Sequence, residues 1–111
     1  MEDDLAGLVI PGGYCPERLR MNASVLELVR KVYAAGKLLA AICHGPQVLI
    51  SAGVLSKKRV TGYLGIWDDL RNAGALVVDE PVVIDENIIT SRAPQDLPYF
   101  GRTLLKALAR E

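Results

Sequence analysis

The stretch that decides the fold is Leu38-Leu39-Ala40-Ala41-Ile42-Cys43-His44-Gly45-Pro46. Its first five residues are apolar without alternation, which suits a strand buried on both faces. Pro46 fits the first turn of a helix, where its missing N–H costs nothing. Between them Ala41 and Gly45 stand two positions either side of Cys43, and small residues are what a sharp strand-to-helix turn requires. The stretch therefore reads as strand, elbow and helix, with Cys43 at the bend. In an open α/β sheet such a bend lies at the carboxyl end of a strand, where ligands bind. A helix beginning there favours thiolate over thiol, and the backbone N–H of His44 points to where an oxyanion would form. The Gly12-Gly13 turn, at the end of a neighbouring strand, offers a second donor. The same cysteine also has an ordinary packing reading, since free cysteine is among the most buried residue types.

Working outward, Leu5 to Ile10 is a second near-continuous apolar run, stopped by Pro11-Gly12-Gly13. Tyr14-Cys15-Pro16-Glu17 reads as a loop. Ser24 to Ala35 predicts a helix with Val25, Leu28, Val29 and Val32 on one face, closed by Gly36. The helix after Pro46 is expected to end near Gly53. Val60 to Tyr63 reads as short and irregular. Asp68 to Ala73 predicts a short helix, with Asp68 and Asp69 capping its start and Gly74 its end. Ala75–Val78 and Val82–Ile84 are short strands, and Asp85-Glu86-Asn87 turns the chain into Ile88–Ser91 as a hairpin. A last helix is expected from Asp96 to Ala109, with Leu97, Phe100, Leu104 and Leu108 as its buried stripe. The alternation of β-rich and helical runs predicts an α/β domain with a parallel core sheet.

The chain has 111 residues, half of them hydrophobic, which suits one domain with one packed core. Thirteen basic and thirteen acidic residues cancel, so no broad electrostatic attraction draws nucleic acid or anionic lipid. No apolar run approaches the ~18 residues of a membrane-spanning helix. The acidic start, Met1-Glu2-Asp3-Asp4, is unlike a signal peptide, and the reading is a cytoplasmic protein. Two cysteines, Cys15 and Cys43, and the single histidine, His44, make neither a disulfide scaffold nor a zinc site. Any Cys–His pairing must use His44. Adjacent residues at a helix start do not face each other well, so a loose pair is expected. Cys15 lies in a loop without a bend. Glu17 shares a rim with Cys43, although a solvated loop glutamate is the plainer reading. Lys57-Lys58-Arg59 reads as a solvated surface loop, Arg92 as a structural ion pair, and Trp67 as packing or interface.

Val9-Ile10-Pro11-Gly12-Gly13, Pro16-Glu17-Arg18 and Ala41-Ile42-Cys43-His44-Gly45-Pro46 together resemble the PfpI intracellular protease family, within the class I glutamine amidotransferase-like superfamily. The resemblance extends through Ile50-Ser51-Ala52-Gly53-Val54-Leu55, Thr61-Gly62-Tyr63, Asp68-Asp69, Asn72-Ala73-Gly74 and Thr90 to Leu97, covering essentially the whole chain as a single domain. It implies a flavodoxin-like three-layer sandwich with a mostly parallel sheet. It implies Cys43 as nucleophile, His44 as its neighbour in a triad, and Glu17 completing that triad from an adjacent subunit, in a homo-oligomer whose active site lies at the interface. Gly13 and His44 match the family's backbone oxyanion donors, and Tyr63 a tyrosine near the nucleophile. The implied activities are peptide hydrolysis, or glyoxalase III and deglycase action on methylglyoxal-type adducts, with a peptide or small carbonyl compound as substrate. No metal and no cofactor are implied, because addition of the thiol to an aldehyde gives a hemithioacetal unaided.

By the same resemblance, family members are longer, and this sequence matches from their third strand onward. An N-terminal βαβ unit would supply a strand beside Leu5–Ile10 and a glutamate near the nucleophile. Without it, the Leu5–Ile10 edge is expected to be open, and such an edge invites pairing with another chain. A shortened sequence, a separate N-terminal chain and self-association are all consistent with this, and weak activity is expected of the 111 residues alone. The leading expectation is a cysteine-dependent hydrolase of the intracellular protease type. The alternatives are a glyoxalase or deglycase, a thiol redox sensor or chaperone, and an inactive remnant.

Overall fold

The spine of the structure, a computed structural model describing residues 7–12 and 15–109, is strand β2 (Leu38–Ile42), all five of whose residues are buried. Successive side chains of a strand point to opposite faces. Leu39 and Ala41 enter one apolar cluster with Ile10, Val29, Val32, Val48 and Leu49. Leu38, Ala40 and Ile42 enter a second, with Ile89 and Phe100. A run without alternation is thus what a strand between two cores requires.

Four strands form the main sheet. β1 (Gly7–Ile10) runs parallel to β2, with Val9 opposite Ala40. On the other side of β2 lies β6 (Ile88–Ser91), also parallel, with Ile42 opposite Ser91. β5 (Val82–Asp85) pairs antiparallel with β6 as the expected hairpin, so the order is β1-β2-β6-β5. Between β1 and β2 the chain forms α1 (Cys15–Leu19) and α2 (Ala23–Ala34). Asn22 caps α2, its Oδ1 accepting from the N–H groups of Ser24 and Val25, and Gly36 leaves the helix in the left-handed region at φ 73°. α3 (Pro46–Ala52) follows β2 and ends on Gly53 at φ 77°. α5 (Leu97–Ala109) lies on the opposite layer. The result is the expected α/β three-layer sandwich with a mostly parallel sheet.

Several local expectations are corrected. The segment at Cys15 and Glu17 is helix α1, not a loop, because Pro16 is compatible with a first helical turn. Arg59–Val60 is strand β3, which pairs in parallel with β4 (Leu76–Val77) as a second, two-stranded sheet. Helix α4 spans Trp67–Asn72 after a short 3-10 turn, Leu64–Ile66. Neither Asp68 nor Asp69 caps it. Ile66 holds the cap position and both aspartates lie in the first turn, where their charge suits the helix dipole. On α5 the buried face is Phe100, with Leu104 and Ala107 packed beside it. Leu97 and Leu108 are exposed. Leu108 lies about 80° round the helix from Phe100, whereas Ala107 lies within about 20°. Lys57 and Arg59 are solvated, but Lys58 turns back to pair with Glu86 of the hairpin turn.

Candidate active site at the end of the second strand

Cys43 sits between the last residue of β2 and the turn into α3. Its backbone is left-handed, at φ 62°, a conformation that side chains other than glycine rarely adopt. Neighbouring chain holds it there from both sides. The Cys43 N–H donates to the carbonyl of Ser91 at 3.0 Å, and the Cys43 carbonyl accepts from the N–H of Tyr63 at 2.8 Å. Strain of this kind persists only where the surroundings determine it, and it gathers at functional sites.

Two glycines make room for the bend. A β-carbon on Gly12, at the end of β1, would stand 2.8 Å from the Cys43 Cβ and 3.5 Å from Sγ. A β-carbon on Gly45 would stand 2.7 Å from the carbonyl oxygen of Ile10. The backbones after β1 and β2 therefore approach each other as closely as hydrogen atoms allow.

The bend turns the thiol toward its neighbour. Cys43 Sγ lies 3.3 Å from His44 Nδ1, so the pair is closer than the helix rule for adjacent residues predicts. That rule assumes helical backbone, and neither residue is in α3. The ring of Tyr63 stacks on the imidazole at a centroid separation of 4.8 Å and an interplanar angle of 27°. Cys43 and His44 are half-buried and Tyr63 is exposed, so solvent-borne reactants reach this corner.

The structure thus brings together Cys43, His44 and Tyr63 of the residues singled out from the sequence. Glu17 stands exposed on α1 and is not brought to His44 among the described residues. Gly13 lies outside the described residues. Cys15 opens α1 rather than a bend. Sequence reasoning missed Ser91, whose carbonyl anchors the bend. The signal was its place at the end of β6, in register with Ile42. Arg92, next along, is the structural ion pair expected. It donates to both oxygens of buried Asp96, at 2.9 and 3.1 Å, and to Asp79 at 2.9 Å, and Asp96 first, then Asp79, hold its guanidinium charged beyond the ordinary arginine range. Among the described residues no cluster of three His, Cys, Asp or Glu side chains could hold a metal ion, and no helix is long and apolar enough to cross a membrane.

The model of the DJ-1/PfpI family matches residues 1–107. The chain belongs to the DJ-1/PfpI family. A relative from Pyrococcus furiosus, named deglycase PfpI, is 49% identical over 106 residues, covering 96% of this chain and 64% of its own length. Among solved structures, a two-domain Anabaena variabilis protein with DJ-1/ThiJ/PfpI-like and ferritin-like domains superposes with a TM-score of 0.97 at 43% identity, over 98% of this chain and 31% of that one. Drosophila melanogaster DJ-1beta superposes with a TM-score of 0.91 at 34% identity, over 99% of this chain and 60% of that one. The sandwich is therefore flavodoxin-like, as in these DJ-1/PfpI folds. The chain spans about two thirds of the length of the curated deglycase it matches.

Proposed function

We propose that this chain carries the catalytic cysteine of a deglycase acting on methylglyoxal-type adducts. The observation that carries the reading is the Cys43–His44 contact, 3.3 Å from Sγ to Nδ1, at a left-handed bend on the carboxyl rim of a parallel sheet. The name of the P. furiosus relative supports it. In the first step, the C–N bond of the adduct breaks, the amine leaves with the proton of the adjacent hydroxyl, and Cys43 Sγ bonds to the aldehyde carbon so exposed as its C=O π-bond opens. The thiol proton passes through His44 to the new oxyanion, which the backbone N–H groups of His44 and Gly13 would steady. A hemithioacetal results with no oxidant, reductant or cofactor. Tyr63 keeps the imidazole in place. The proton on the hemithioacetal carbon then moves to the neighbouring carbonyl carbon, so that one carbon is oxidised as the other is reduced, and water cleaves the resulting 2-hydroxy thioester to a hydroxy acid and the free Cys43 thiol.

Peptide hydrolysis, the leading expectation from the sequence, would use the same thiol. It must also protonate a leaving amine, which places weight on a carboxylate behind His44. Glu17 of a neighbouring copy would have to supply that carboxylate. Deglycation also expels an amine that must be protonated, so the preference for it rests on the names of the Pyrococcus relatives. The test is turnover of methylglyoxal adducts of N-acetylated amino acids by Cys43→Ala and Cys15→Ala variants. Whatever turnover the parent shows is expected to fall to background in Cys43→Ala, while Cys15→Ala retains it. Equal activity in Cys43→Ala and the parent would overturn the reading.

A further inference from the structure

The chain has one tryptophan. Trp67 is half-buried and packs against the larger apolar cluster. A buried indole N–H ordinarily finds some acceptor, and packing alone would account for the residue. The identity of its acceptor argues for more. Trp67 Nε1 donates to the carbonyl oxygen of Gly62 at 2.8 Å. That carbonyl belongs to the same peptide group as the Tyr63 N–H, which donates to Cys43 O at 2.8 Å. A peptide group is planar and moves as a unit. One plane is therefore held at its oxygen by the indole and at its nitrogen by the candidate nucleophile's own carbonyl. Hydrogen bonds in line through an amide also polarise and strengthen one another.

The rest of the arch from Gly62 to Trp67 seats the tyrosine ring. A β-carbon on Gly65 would lie 3.0 and 3.1 Å from Cε2 and Cδ2 of Tyr63. The ring thus lies close over Gly65 while it stacks on the His44 imidazole. A β-carbon on Gly62 would meet Cys43 O at 3.2 Å and Pro46 Cγ at 3.3 Å, so the arch also lies directly against the bend.

Resting on the reading of Cys43 as nucleophile, we propose that Trp67 is a positioning residue for the Cys43–His44 pair, acting through the Gly62–Tyr63 peptide, with Gly65 as the seat of the Tyr63 ring. Trp67 touches neither thiol nor imidazole. It fixes the peptide that fixes Cys43, and that same peptide places the ring that faces His44.

The test uses iodoacetamide as the probe and measures the alkylation rate of Cys43 as a function of pH. Trp67→Phe keeps an aromatic ring and removes the donor. Gly65→Ala leaves the backbone unstrained and displaces only the tyrosine ring. Both variants are expected to slow Cys43 alkylation near neutral pH by about tenfold. A merely structural loosening would do the reverse, exposing Cys43 and speeding the reaction. In the parent, the single indole N–H resonance of the nitrogen-15-labelled protein is expected to shift when Cys43 is alkylated. Parent-like rates and pH profiles in folded variants, or an indole resonance blind to alkylation, would overturn the proposal. Should Trp67→Phe not fold, Gly65→Ala and the parent's resonance decide. Loss of turnover in Cys43→Ala together with parent-like alkylation in Trp67→Phe would sink only the positioning role. Retained turnover in Cys43→Ala would sink the deglycase reading instead.

Discussion

A methyl group on Gly45 would press on the carbonyl oxygen of Ile10 from 2.7 Å; that oxygen is backbone and the methyl carbon is fixed by the backbone that bears it, so neither can swing aside. Gly45→Ala is therefore expected to destabilise the fold by roughly 1–3 kcal/mol, in the range of overpacked interiors. Urea denaturation checks this, and an unchanged midpoint would contradict the close approach. The same crowding explains why the thiol meets its neighbour. From sequence, Cys43 and His44 are adjacent residues at a helix start, and adjacency on a helix turns side chains apart. Their contact depends on a left-handed backbone at Cys43, which Ser91 and Tyr63 impose from distant parts of the chain. The flanking small residues announce a bend. They do not announce its handedness, and so the Cys43–His44 distance was not legible in the sequence.

Elements whose burial is complete were the easiest to read. β2 is apolar at all five positions because apolar residues cover both its faces. Leu39→Ala is expected to cost about 2–5 kcal/mol, since a fully buried leucine leaves a cavity in a packed layer. A loss below about 1 kcal/mol in thermal or urea unfolding would mean that the layer can collapse around the gap. Where burial is partial, pattern reading failed. α1 is only five residues long, too short for periodicity to show. On α5 the apolar residues mark a broad stripe, but only the part centred on Phe100 finds the sheet. N-terminal capping at α2, which the Asn22 side chain provides, was not singled out in the sequence, where the helix was read from Ser24. Capping was misread at α4, where the preceding 3-10 turn shifts the cap to Ile66. Asn22→Ala is expected to lower stability by about 1 kcal/mol, whereas Asp68→Ala, whose contact is an exposed pair with Arg71 at 3.4 Å, should change it by no more than a few tenths.

Across the whole molecule, Arg92 ties the segment before β5 to the start of α5 through Asp79 and Asp96. Asp96 is buried, so Arg92→Met strands a carboxylate. The expected loss is roughly 2–3 kcal/mol, less than for a wholly enclosed pair because the arginine side chain is partly solvated. Adding Asp96→Asn should recover most of it, and a double variant no more stable than the single would show that the pair is not the cause. At the sheet's other margin, β1 pairs only with β2 among the described residues, and Val9 is half exposed. Edges of this kind associate. Light scattering of the 111-residue chain should show mass rising with concentration, and Val9→Lys should suppress the rise. The carbonyl that anchors Cys43 belongs to Ser91, in the hairpin that joins the sheet from the far end of the sequence. During synthesis β1, α2 and β2 leave the ribosome long before it does, and parallel partners that distant are slow to find each other. A chain arrested before the hairpin can hold the cysteine but not its bend. The left-handed bend and the Cys43–His44 contact are therefore among the last features the molecule acquires, and a half-made chain does not carry them.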